Sequence, residues 1–288
     1  MGMNSSIAVC PMCERDGSVV LTCRVRNGKH YRLARCRECG QHFCDPPPTA
    51  EEIRNFYQGE FHRELRENGQ MEVLFRDKFT RYRDWTLHYL QGGRSVDIGT
   101  ATGLFPSLLK ASGFDAEGTE YNAASAEWGA KQYGIRIRIG GAELLDGESE
   151  GYDFISMTDV LEHTEHPLKT LKDVARALRP RGYMLITFPD IRSLESSYLG
   201  SLSRLTGRDW IWSCCNIPLH TWEFTPKTAR AMFKMAGFDV VGFRRWQVAP
   251  DQFRGAAKLI SLPLGVLMIP VVARVVGTQM EFMIRRND

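Results

Sequence analysis

The feature that most constrains this chain is a repeated change of hydrophobic period after residue 94. Short apolar runs at 95–98, 115–120, 135–139, 152–157 and 183–187 read as strands, and the stretches 104–112, 123–133 and 166–178 follow the helical period. Only short turns separate them. A strand that runs into a helix and then into another strand rejoins the same sheet in parallel, with helices covering both faces. The predicted fold class is therefore α/β, a doubly wound parallel sheet. A helix at 226–236 and strands at 240–246 and 280–285 bring the sheet to seven strands. An apolar fraction of 43% can fill such a core and excludes a disordered or fibrous chain.

Residues 1–45 follow a different logic. Six of the eight cysteines fall in the first 44 residues, and two pairs, Cys10/Cys13 and Cys36/Cys39, stand 22 residues apart. Thiolates two residues apart on a knuckle reach one tetrahedral Zn²⁺, and a second knuckle closes the site. This predicts a small zinc ribbon with strands at 18–23 and 31–35 and a structural Zn²⁺. Four thiolates leave no open position, so the site is not catalytic. Cys23, His42 and Cys44 read as packing residues. Disulfide frameworks spread through small secreted domains, whereas these cysteines cluster. The opening MGMNSSIAVC is neither basic nor a long apolar stretch, so a cytoplasmic protein with reduced thiols is expected. Pro46, Pro47 and Pro48 form a stiff linker, and a capping box at 49–52 starts a helix. A second helix follows at 72–90. The expected organisation is a ribbon at 1–45, linker and covering helices at 46–92, and a main domain at 93–288.

Asp97-x-Gly99-x-x-x-Gly103 sits where the first strand turns into a helix. Glycines let the backbone approach a ligand, and a helix N-terminus offers free N–H groups. Glu120 ends the second strand, where a carboxylate can accept both hydroxyls of a ribose. Neither the dinucleotide G-x-G-x-x-G nor a phosphate loop is present. VDIGTATG, YDFISMTDVLEH, RALRPRGYMLITFPD and FKMAGFDVV together resemble the class I S-adenosylmethionine-dependent methyltransferases, from about residue 70 onward. CPMC and LARCRECGQHFCDPPPTAEEIRNFY resemble the zinc-ribbon preface of a bacterial methyltransferase group acting in glycan, lipid or specialised-metabolite assembly. The resemblance implies a Rossmann-like fold and S-adenosylmethionine as cofactor. It implies Asp97, Gly99, Thr100, Ala101 and Gly103 at the methionine end, Glu120 on the ribose and Tyr121 beside the adenine. Ala142 and Glu143 would edge the adenine, with Thr158 and Asp159 beneath the cofactor. The sequence departs from the family at Gly141, where an Asp is common, so adenine recognition would rest on backbone groups.

Asp159, Glu162 and His163 are spaced i, i+3, i+4, which on a helix would put them on one face. With His220 they would bind a divalent cation such as Mg²⁺, which is similar to the metal-dependent O-methyltransferases of ubiquinone biosynthesis and of small-RNA 2′-O-methylation. Such a cation lowers the pKa of an attacking hydroxyl. Two other readings stand beside it: His163 or His220 as a metal-free general base, or DVLEH as a structural cap in which His163 bonds a loop. The segment 192–225 would cover the acceptor, with Trp210, Trp212 and Trp222 stacking on it or closing a lid and Arg204, Arg208, Lys227 and Arg230 supplying positive charge.

The function expected is methyl transfer to a hydroxyl of a small-molecule, sugar or lipid-linked acceptor. RNA methylation with the ribbon as RNA grip, and a non-catalytic scaffold, are the alternatives. A net charge of only +3 (37 basic, 34 acidic) argues against a nucleic-acid partner. The apolar stretch at 259–273, about 15 residues against the ~20 that a bilayer requires, would be a core segment, an oligomer contact or a peripheral membrane contact.

Overall fold

The computed structural model describes residues 9–26, 28–57, 69–194, 196–197, 201, 205, 219–246 and 277–288. Two sheets organise them. The N-terminal hairpin pairs β1 (Ser18–Arg26) with β2 (Lys29–Cys36), and β3 (His42–Asp45) joins the other edge of β2. After α1 (Ala50–Tyr57) and α2 (Gly69–Thr86), the chain enters the main domain.

There β4 (Gly93–Ile98), α3 (Leu104–Lys110), β5 (Phe114–Glu120), α4 (Ala123–Tyr133) and β6 (Arg136–Ile139) form one half of a seven-stranded sheet. The other half comprises β7 (Tyr152–Thr158), α5 (Pro167–Ala177) and β8 (Leu178–Pro189), then β9 (Trp222–Glu223), α6 (Pro226–Met235), β10 (Phe238–Trp246) and β11 (Gln279–Arg286). Of these, β9 belongs to the N-terminal sheet. The main sheet runs β10-β11-β8-β7-β4-β5-β6, parallel from β8 through β6 and antiparallel at β11. This is the Rossmann-like, mostly parallel seven-stranded architecture that the alternating periods predict.

The strands are apolar because both faces are covered. Side chains alternate across the pleat, so neighbours in sequence enter different cores. Ile155, Ile186 and Phe282 pack with Leu171, Val174 and Phe233, while Phe154, Leu185 and Met283 pack with Tyr82, Trp85 and Phe105 on the opposite face. Each such side chain contributes roughly 1.5–3 kcal/mol by leaving water. The strand order reverses between β4 and β7, and in open α/β sheets the crevice beyond such strand ends receives the ligand.

Three expectations change. The hairpin strands extend well beyond 18–23 and 31–35, because the residues between the two cysteine pairs form one long ribbon. The ribbon also does not stand apart: β3 pairs with β9, and Cys10, Cys36 and Phe43 share a core with Trp222 and Phe224. Finally, the stretch after β7 is no α-helix but a single 3₁₀ turn, Leu161–His163. The expected segment 259–273, with Trp210, Trp212, Arg204 and Arg208, lies outside the described residues. No helix among the described residues is long and apolar enough to cross a membrane.

Candidate active site

A cavity of about 950 Å³ opens over the carboxyl ends of β4, β5 and β7. Its size suits a nucleoside-bearing cofactor with an acceptor beside it. One half is made largely by backbone. Gly99 has φ 72°, Ala101 φ 52° and Gly103 φ 77°, so the turn after β4 passes through the left-handed region three times. At Gly99 a Cβ would stand 2.5 Å from Val160 Cγ2, which excludes any side chain. Asp97, Gly99, Thr100 and Ala101 line the cavity. Gly103 does not line it: it caps α3 and packs on Ile137, so its part is to shape the turn.

Asp97 is buried and accepts a hydrogen bond from the Ser156 hydroxyl at 2.7 Å. Burial pushes its carboxyl up to about 7. The Glu120 carboxylate is aimed by two backbone donors, the N–H of Ala101 at 2.8 Å and that of Asn122 at 2.7 Å, one on each oxygen. Each oxygen keeps a lone pair for a ligand hydroxyl. Burial raises the pKa of Glu120, and the backbone donors oppose that shift. Tyr121 is 56% exposed, and its hydroxyl donates to Glu143 at 2.6 Å. The N–H of Gly141 donates to the other Glu143 oxygen at 2.7 Å. A Cβ on Gly141 would lie 2.7 Å from Cε2 and the hydroxyl of Tyr121, so a side chain here would displace the exposed tyrosine. Tyr121, Ala142, Glu143 and Thr158 all line the cavity.

The other half is made by side chains brought from far apart. Asp159 has φ 57°, which turns it out of any helical register with Glu162 and His163. Its carboxylate accepts from Lys78 Nζ at 2.6 Å, from the Thr187 hydroxyl at 3.2 Å and from the Gln279 amide. Burial alone would raise its pKa; the Lys78 ammonium outweighs that and holds the group below its ordinary value. Asp159 therefore does not join the cluster expected of it. The residues that come together are Glu162, His163 and His220, with ligand atoms within 4.8 Å of one another.

Glu162 is buried, and its Oε2 has no hydrogen-bond partner among the described residues. Burial, with the Asp159 charge behind it, pushes its carboxyl up to about 8. His163 Nδ1 bonds the Leu219 carbonyl at 2.9 Å, the loop contact that the structural-cap reading foresaw. Burial and the neighbouring His220 push the His163 imidazole down to about 3. His220 Nδ1 bonds Glu223 Oε1 at 2.9 Å. Burial lowers its pKa, but the Glu223 carboxylate more than reverses this, so the net shift is upward. The two rings meet edge to face with centroids 4.8 Å apart.

Two functional residues escaped the sequence. Lys78 sits in the stripe Phe75, Lys78, Phe79, Tyr82, spaced i, i+3, i+4, i+7, a lone cation on an otherwise aromatic face. Its ammonium lies 5.7–6.0 Å from the three ring centroids. Glu223 follows His220 by three residues, a spacing that lets an acid orient an imidazole. Trp222 is not a lid: it is buried against Phe43 and donates to the Thr164 carbonyl at 2.9 Å.

At the other end of the molecule, the Cys10 and Cys39 sulfurs are 3.7 Å apart, and those of Cys13 and Cys36 3.6 Å. A tetrahedral ion with metal–sulfur bonds of about 2.3 Å would space its sulfurs by roughly 3.8 Å. All four sulfurs lie within 4.8 Å of one another. Burial raises the Cys36 thiol, but backbone N–H groups of Cys39 and Glu38 overcome it and bring the pKa down to about 7. Cys23 and Cys44 stand outside the cluster.

With this geometry in view, the comparisons define a class. A family profile described as a methyltransferase domain matches residues 68–242, more than half of the chain, and the chain belongs to that family. A ubiquinone biosynthesis O-methyltransferase of Parvibaculum lavamentivorans is 30% identical over 135 residues, covering 45% of this chain and 51% of that protein. The protein of the same name from Bordetella avium is 21% identical over 169 residues, covering 56% and 68%. The chain thus spans about half the length of the first of these relatives. Among solved structures, an S-adenosylmethionine-dependent methyltransferase of Archaeoglobus fulgidus is 16% identical with a TM-score of 0.54, covering 78% of this chain and 99% of that one. Another from Thermotoga maritima is 20% identical with a TM-score of 0.53, covering 79% and 98%. These two establish the fold. The chain is thus a member of the methyltransferase-domain family, with the fold that these two structures share.

Proposed function

We propose that the protein transfers the methyl group of S-adenosylmethionine to a hydroxyl of a small-molecule, sugar or lipid-linked acceptor. The observation that carries this reading is the cluster of Glu162, His163 and His220 at the cavity end of β7. The hydroxyl oxygen attacks the sulfonium methyl in line. The O–CH₃ bond forms, the S–CH₃ bond breaks and its electron pair stays on sulfur, which leaves S-adenosylhomocysteine. The hydroxyl proton must go to a base, and that need separates O-methylation from transfer to an amine. The curated relatives are named O-methyltransferases, which supports the same choice.

Asp97, Gly99, Thr100 and Ala101 would hold the methionine end, Glu120 the ribose, and Tyr121, Ala142 and Glu143 the adenine. Glu162, His163 and His220 fit a divalent cation: one carboxylate oxygen lacks a partner, and with Nδ1 of His220 engaged, Nε2 is the donor it offers. A bound cation would supply Lewis acidity that lowers the pKa of a coordinated hydroxyl. Two imidazoles and one carboxylate favour Mn²⁺, Fe²⁺ or Zn²⁺ over Mg²⁺, which prefers an oxygen shell. In a second reading the His220–Glu223 pair is itself the base, because Glu223 fixes the tautomer and stabilises the imidazolium. Cys10, Cys13, Cys36 and Cys39 would hold a structural Zn²⁺.

Calorimetric titration with S-adenosylhomocysteine, with and without Mn²⁺ and Mg²⁺, on zinc-quantified protein tests this. Micromolar cofactor binding and one Mn²⁺ per chain, beside the Zn²⁺ of the cysteine site, are expected. No binding at millimolar ligand would remove the methyl-transfer reading and leave the scaffold in its place.

A further inference from the structure

The cysteine sheet touches the catalytic half of the cavity through an unbroken set of hydrogen bonds. The second knuckle leads directly into it: Gly40 N–H donates to the Cys36 carbonyl at 3.1 Å, and Cys36 N–H donates to the Gln41 carbonyl at 2.9 Å. Strand β3 then pairs antiparallel with β9, His42 opposite Glu223 and Phe43 opposite Trp222. Cys44 N–H donates to the Thr221 carbonyl at 2.9 Å. The Gln41 amide donates to the carbonyls of His42 at 2.9 Å and of Glu223 at 3.0 Å, which pins the strand that carries the His220 partner. Gln41 and Glu223 are each 1% exposed, so water does not replace these bonds. The same segment supplies the Leu219 carbonyl that holds His163.

Within the described residues β3 is the strand that pairs with β9, and the residue after β9, Phe224, is tied to Asp190 and Ile191 by one bridge. A two-residue strand cannot hold its own register, and an imidazole within reach of a reacting oxygen must be placed to about half an ångström. We propose that the cysteine sheet is the positioning element for the histidine pair, with Gln41 and β3 as the residues that transmit its geometry to Glu223 and His220. Gln41 is a positioning residue: it touches neither cofactor nor acceptor, since it does not line the cavity. The inference rests on the reading that His220 acts at the acceptor hydroxyl, but its structural content can fail separately.

The test uses the full chain with Gln41→Met, which keeps the volume and removes both donors, and Phe43→Leu, which loosens the Trp222 contact while leaving an apolar residue. Three readouts separate the outcomes. Elemental analysis is expected to find the cysteine-site metal at wild-type stoichiometry, and calorimetry an S-adenosylhomocysteine affinity within twofold of wild type. Nitrogen-15 spectra of the histidine rings are expected to show His220 in one tautomer and one environment in the wild type, and in several in Gln41→Met. Mn²⁺ affinity, where the wild type binds it, is expected to fall by up to about tenfold, because Glu223, the outer partner of His220, remains but is no longer pinned. Phe43→Leu is expected to move the same signals less. Unchanged His220 ring signals in both variants would overturn the proposal. Altered signals accompanied by loss of the cysteine-site metal or of cofactor binding would overturn it too, because general unfolding would then explain them. Mn²⁺ binding by the wild type reports on the cation reading alone.

Discussion

The two halves of the cavity are built by different means. The cofactor half is largely local: the turn after β4 and the residue two beyond Glu120 each set a backbone N–H on the Glu120 carboxylate. The acceptor half gathers Lys78 from α2, Asp159 and His163 from beyond β7, and His220 with Glu223 from the approach to α6. The first can be specified by local dihedral preferences, because glycines at 99 and 103 supply two of the three left-handed positions that the turn requires. The second depends on contacts spanning most of the chain. Cofactor binding should therefore resist changes elsewhere, while the acceptor side should feel disturbance from several directions.

The largest expected effect breaks the cofactor half alone. Glu120→Ala leaves the Ala101 and Asn122 N–H groups without their acceptor and removes the carboxylate proposed to hold the ribose. The expected loss of S-adenosylhomocysteine affinity is a hundredfold or more, about 3 kcal/mol. Mn²⁺ binding should survive, and calorimetry of both ligands on the same sample checks this; an unaltered cofactor affinity would sink the assignment of that half.

Next comes its mirror image. Glu162→Gln should weaken the second cation 10- to 100-fold. S-adenosylhomocysteine affinity and the cysteine-site metal should stay as they were. If Mn²⁺ binds equally well, the acceptor half holds no cation, and the His220–Glu223 base remains.

A smaller effect depends on pH. The Asp97 carboxyl stands at about 7 in the folded protein, above its ordinary value of 3.8. A group raised in the folded state stabilises the fold below its unfolded pKa, and that contribution drains away as pH climbs through the folded pKa. The melting temperature of ligand-free protein should thus decline between pH 5 and 8. Over the same range, S-adenosylhomocysteine should bind more tightly as Asp97 ionises toward its ammonium. Asp97→Asn should flatten both curves, and slopes that persist in that variant would point to another group.

The smallest effect tests how the acceptor half tolerates loosening at its far edge. Thr225 caps α6 with a reciprocal bond to Thr228. Thr225→Ala is expected to cost about 1 kcal/mol, read as a fall of roughly 2–4 °C in melting temperature. Cofactor affinity should not change; a fall there would mean that the two halves are coupled more strongly than their construction implies.

The same division explains what could be read from the sequence. The parallel core was legible because strand and helix periods alternate and both faces of the sheet are covered. The turn from Asp97 to Gly103 and the acid at Glu120 were legible because their spacing is local. The pairing of β3 with β9 was not, since it joins strands that lie far apart in the chain, as does the Gln41–Glu223 hydrogen bond beside it, whose residues are 182 apart. The spacing of Asp159, Glu162 and His163 suits a helical face only if the segment is a helix, and nothing in the letters marks a left-handed Asp159 that Lys78 holds across 81 residues. A lone lysine in an aromatic stripe and an acid three residues after a histidine were weak marks of those long-range partners.

The position of β11 has a consequence for how the molecule is made. It lies between β8 and β10, hydrogen-bonded to both, yet it follows all the other described strands in chain order. As synthesis proceeds from the N-terminus, the parallel strands β4 to β8 can assemble early. The edge of β8 then stays open, and β10 has no seat, until residues 279–286 have left the ribosome. An unpaired edge beside an apolar core is a template for wrong pairing. The nascent protein is therefore most vulnerable to aggregation in the interval between completing β10 and inserting β11, and a chaperone that shields a strand edge would act during that interval.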